Sequence, residues 1–80
     1  MREITEHDLH NTQRHVREAE RHVVRQKVVL ARFELLGDAE EVPLARFHLA
    51  VCEQRLQQAR EGLRQLQAQR ARASLRVVSK

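Results

Sequence analysis

One literal echo constrains this chain more than anything else in it. Arg14-His15-Val16-Arg17 returns seven residues later as Arg21-His22-Val23-Val24. Seven residues are close to two turns of α-helix, so a repeat of that length stacks Val16 and Val23 along one side of a helix. Extending the register puts Leu9, Val16, Val23 and Leu30 at one heptad position and Thr12, Ala19, Gln26 and Phe33 at the other. A strand reading fails on two counts. Strands alternate every two residues, and they draw on aromatic side chains; Trp and Tyr are absent here, leaving only Phe33 and Phe47.

The seam stops at Leu36-Gly37-Asp38. Glycine is favoured just past a helix C-terminus because it enters the left-handed region without a Cβ clash. Pro43 suits the opening turn of a second helix, where its missing N–H costs nothing, and the residue before a proline tends to be extended. These signals predict a start near Val42 or Pro43. Asp38 and Glu41 have capping-box spacing, which would start the helix earlier and leave Pro43 inside it. A second seam then pairs Leu49, Leu56 and Leu63 with Ala45, Cys52, Ala59 and Leu66. Gly62 weakens this helix by about 1 kcal/mol relative to Ala. The register meets Arg70 and resumes thinly through Ala73 and Val77.

The expected fold is therefore all-α, a long antiparallel two-helix hairpin with coiled-coil-like packing. Helix 1 is expected over about residues 4–36, the loop over about 37–42, helix 2 over about 43–73 and a basic tail over about 74–80. Eighty residues allow one domain, 1–80.

A further apolar stripe exceeds what such a hairpin needs. Val24, Val28, Ala31 and Leu35 are spaced four, three and four, on the side of helix 1 roughly opposite Val23 and Leu30. Leu44, Phe47 and Val51 lie off the inner seam of helix 2 near the same end. A helix that is apolar all round is buried all round, and one hairpin buries only one side of each helix. The expectation is a homo-oligomer, most simply a dimer forming a four-helix bundle near the loop, with a different helical protein as the other candidate partner.

Charge is unevenly placed within the net of +4. Residues 34–54 hold one arginine against five acidic groups, and residues 55–80 hold seven basic groups against Glu61. The loop end is acidic and the free end basic. A basic platform of Arg60, Arg64, Arg70, Arg72, Arg76 and Lys80 is the alternative reading, as contacts for nucleic acid or another anionic partner. Arg14, Arg17, Arg21 and Arg25, along the outside of helix 1, suit that platform or an ordinary solvated face. Eleven acidic residues and the lack of Tyr or Trp for base stacking weigh against nucleic acid.

Catalytic and metal chemistry find little support. Ser74 and Ser79 lie in the expected tail, and two isolated glycines make no phosphate loop. Cys52 is the single cysteine and falls on the inner face, where a thiol behaves as a small hydrophobe. Of five histidines, His7 and His10 stand one turn apart with Glu3 one turn earlier, a spacing open to a two-histidine, one-carboxylate site. Glu followed three residues later by His, as in helix-bundle di-metal sites, does not occur. Neither an enzyme nor a bound cofactor or metal is expected. No apolar run reaches the ~20 residues of a membrane span, and the N-terminus lacks a signal pattern, so a cytoplasmic protein is expected.

The run Ala19-Glu20-Arg21-His22-Val23, followed by Gln26, Val29 and Leu30, resembles a group of short, uncharacterised bacterial helical-hairpin proteins. The likeness covers mainly residues 14–35. It implies a small bacterial helical protein and no particular activity; the Val-rich second stripe and the long basic tail depart from it. The first functional expectation is a non-enzymatic protein–protein interaction or self-assembly module.

Overall fold

The structure, a computed structural model, describes residues 3–78, and side chains only as far as residue 75. Two helices, α1 (Glu6–Leu36) and α2 (Glu41–Val78), lie side by side in a rod of 65 × 16 × 16 Å. Ion pairs at both ends fix the antiparallel sense, Glu6 with Arg70 at the free end and Glu34 with Arg46 near the turn.

Local sequence explains where α1 begins. The Thr5 hydroxyl accepts from the Asp8 N–H (3.1 Å) while the Asp8 carboxylate accepts from the Thr5 N–H (3.0 Å). This reciprocal box satisfies two donors that a helix start leaves orphaned. Glu6 and Asp8 also set negative charge against the positive end of the helix dipole.

The turn is built around two residues. Gly37 takes φ 67°, ψ 30° and donates its N–H to the Glu34 carbonyl (3.2 Å), while the Asp38 N–H reaches the Phe33 carbonyl (3.0 Å). Together these close α1 in a Schellman arrangement. Asp38 then opens α2: its carboxylate accepts from the Glu41 N–H (3.3 Å) and its carbonyl from the Val42 N–H (3.1 Å). The second helix thus starts at Glu41, ahead of the expected Val42 or Pro43. The capping signal of Asp38 prevails over the extended preference of a pre-proline residue. Pro43 has no proton for the carbonyl of Ala39, so the continuous ladder begins only beyond that gap.

At its other end α2 runs to Val78, through backbone that was expected to be a tail from residue 74. No Gly or Pro follows Gly62, and Ala, Arg and Leu are among the strongest helix formers. Lys80 and Ser79 lie outside the described residues.

The inner seam matches the heptad register. Val16, Val23, Ala45 and Leu56 are buried, and Ala19, Leu49, Cys52, Ala59 and Leu63 pack partly covered against the cluster of Val16, Val23 and Leu56. Leu9, Thr12, Gln26, Leu30 and Phe33 are half-buried, as are Leu66 and Arg70 opposite the start of α1. Polar seam positions are accommodated locally: Thr12 donates to the Asp8 carbonyl (2.8 Å), and Arg70 turns to Glu6. No buried polar side-chain atom among the described residues lacks a partner.

That seam is thin for its length. The chain keeps 6756 Å² accessible, whereas a globular monomer of its 9.4 kDa would expose about 5,000 Å². The hairpin carries surface that a compact fold would have hidden.

Candidate association surface

Outside the seam, the exposed large apolar side chains of the described residues gather at the turn end, apart from Leu75 near the end of α2. Val24 is 60% exposed, Leu35 88% and Phe47 62%; Val28, Leu36 and Leu44 are half exposed or more. Ala31 is exposed as well, and Val51 is half-buried. All seven side chains expected on the second stripe therefore sit at one end, and all but Val51 are exposed. They do not share one side.

Two grooves flanking the seam show how they divide. One is lined by Glu20, Val24 and Lys27 of α1 and by Glu53, Gln57 and Arg60 of α2. The other is lined by His15, Glu18 and His22 of α1 and by Cys52, Arg55 and Ala59 of α2. Residues four, seven or eleven apart share a helix face. Val28, Ala31 and Leu35 therefore continue the Val24 side, along the outer edge of α1. On α2, Val51 and Leu44 precede Arg55 by four and eleven, so with Phe47 they lean toward the second groove and the opposite edge of the rod. The second stripe is two strips, one on each edge.

Between them, on the side of the second groove, lie two residues that the sequence reading missed. Val29 and Leu36 follow His22 by seven and fourteen, and both are exposed. The heptad step from His22 was the available signal. It was obscured because these positions fall between the inner seam and the outer stripe. The remaining side of the turn end is charged, with the Arg46–Glu34 pair at 3.6 Å. The turn end is apolar on three sides and ionic on the fourth.

Among the described residues, the basic candidates Arg60, Arg64, Arg70 and Arg72 do not gather into one platform. Arg60 and Arg64 share the first groove with Glu53 and Glu61, and Arg64 is paired to Glu61 at 3.0 Å. Arg70 is committed to Glu6, whose carboxyl is held below the ordinary glutamate value by that hydrogen bond and by the guanidinium charge. Arg72 is exposed. The Arg76 side chain and Lys80 lie outside the described residues. A shallow depression on α1 is lined by Arg17, Arg21 and Arg25 beside Glu20 and Val24.

The histidines are dispersed. His7 meets Asn11 through Nε2 (3.1 Å), His15 and His22 border the second groove beside half-buried Cys52, and His48 lies against the Phe47 ring, centroids 6.1 Å apart. Among the described residues no three His, Cys, Asp or Glu side chains come together as a metal site, and no helix is long and apolar enough to cross a membrane.

No family model matches this chain, and no curated protein or solved structure resembles it at a significant level.

Proposed function

We propose that the hairpin is a non-enzymatic self-assembly module whose turn end is covered by further copies of the chain, as in a four-helix bundle. One observation carries the reading: at the turn end more large apolar side chains face water than face the partner helix. Apolar surface returns roughly 25 cal/mol per Å² when covered, and exposed patches of this kind mark interaction sites. The accessible area agrees in scale. The excess over a globular monomer is larger than the ~800 Å² that each partner gives to a standard interface.

Assembly also supplies what the thin seam lacks. A hairpin this small is marginal alone, and oligomerisation is a usual remedy. The proposed role is that of a connector or regulator acting through contact. Arg64 and Arg70 of α2 are already paired with Glu61 and Glu6, which favours assembly over the anionic-partner reading.

Sedimentation equilibrium across micromolar concentrations tests this reading. The chain is expected to exceed monomer mass, with a melting temperature that rises with concentration. Val28→Glu places a charge in the exposed strip without touching the seam, and should shift the equilibrium to monomer by about tenfold or more. A well-folded monomer at every concentration would falsify the reading.

A further inference from the structure

The spacing of the outer strip of α1, together with the charges at its two ends, carries an orientation for the contact. We propose that a second copy docks antiparallel along the outer edge of α1, with its Arg17 and Arg21 over the acidic turn. This rests on the self-assembly reading and gives it a geometry.

Positions 24, 28, 31 and 35 are symmetric about a point between Val28 and Ala31. A two-fold axis through that point sets Val24 against the partner's Leu35 and Val28 against the partner's Ala31. Each contact then joins a larger side chain to a smaller one. A parallel two-fold would instead set Ala31 on its own copy and leave a gap there, while crowding Leu35 against itself. Close packing favours the antiparallel choice.

Charge points the same way. Following the strip from Val24 toward the N-terminus leads to Arg21 and Arg17, which line one depression with it. Following it toward the C-terminus leads past Leu35 to Asp38, Glu40 and Glu41. Antiparallel docking superposes these ends, arginines on carboxylates, twice per dimer. Glu20 borders the same depression but is outnumbered by Arg17, Arg21 and Arg25. Parallel docking would stack acidic turn on acidic turn.

The end of α1 adds a third reason. Its last turn contains no basic residue, although the negative pole of a helix is stabilised by a cation there. The partner's Arg21 would arrive at that pole and add to the one cation already near it, Arg46 of α2 on Glu34. Arg25 and Arg32 stay at the rim of the contact, in water.

A charge swap tests the docking. Arg17→Glu with Arg21→Glu, and separately Glu40→Arg with Glu41→Arg, should each weaken self-association at least about tenfold, while the combined variant returns to within about threefold of the parent. Circular dichroism checks that each variant stays helical. A distance measurement covers the case in which a charge variant unfolds: Ala39→Cys on a Cys52→Ala background, spin-labelled, should give a separation of about 30 Å between copies from the 1.5 Å rise. Parallel docking would bring the labels within about 20 Å at ordinary helix spacing.

Dimers that ignore the swap, or that show only the short separation, overturn the antiparallel docking and leave self-assembly standing. A parent chain that remains monomeric sinks both.

Discussion

The two halves of this rod use their apolar residues differently. In the free half, Leu9, Val16, Leu63 and Leu66 all lie on the seam, and the outside is mostly polar, rich in Arg, Glu and Gln, with Leu75 exposed near the end of α2. In the turn half, Ala45, Leu30 and Leu49 occupy the seam while Val24, Val28, Leu35, Leu36, Leu44 and Phe47 face outward. Leu75 apart, the free half is satisfied by its partner helix, and the turn half is not. A two-helix fold has one interface to spend its hydrophobic residues on, so any second stripe must be explained from outside the chain.

The largest effect is expected where both halves depend on one residue. Leu56 is buried against Val16 and Val23 near mid-rod. Leu56→Ala should destabilise the hairpin by roughly 2–4 kcal/mol, seen as a lower urea midpoint at any protein concentration. If the loss disappears at high concentration, assembly contributes to the seam as well, and the contrast between inside and outside is less clean than the burial pattern implies.

The glycines sharpen the contrast because neither would bring an added Cβ within 4 Å of the atoms that matter for packing. Gly37 sits at positive φ in the turn; Gly37→Ala should cost roughly 1 kcal/mol through backbone strain alone. Gly62 lies in the helical body of the free half; Gly62→Ala should stabilise by up to about 1 kcal/mol through helix propensity. Opposite shifts in melting temperature check the pair. A loss at Gly62 would mean that something packs on the free half too.

The smallest effect concerns the clasp at the free end. The Glu6 pKa is lowered by Arg70, so its contribution is present above the unfolded glutamate value and is lost as pH falls through the folded one. Glu6 is largely and Arg70 partly exposed to solvent, so salt should screen the effect. Hydrogen-exchange protection at the first turns of α1, taken relative to the intrinsic rate at each pH, should fall on acidification, and Glu6→Gln should remove that dependence while the turn half is unchanged.

Much of this was legible in the sequence. Heptad spacing located the seam residue by residue, because 3.6-residue periodicity fixes which side chains meet once two helices lie antiparallel. The start of α2 was harder, since Asp38 and Pro43 give conflicting local signals and only their relative strength decides. Residues 74–78 read as a tail in the sequence because the seam fades there; helix propensity needs no seam, and the helix continues. That the turn half is apolar nearly all round is legible in the sequence; which edge of the rod each strip takes needs the coordinates, for a geometric reason. An angle far from the seam reads as "outside" in either rotational sense, and it is the sense that selects the edge.

Asp38, which closes one helix and opens the next, also bears on the order in which the molecule is made. The bonds it joins span only a few residues, so they form at little loop-closure cost, and every later rung of the hairpin closes only a slightly longer loop. Folding is then expected to run as a zipper from the turn outward. The sticky end would be complete first, and nascent chains could meet before their tails had closed.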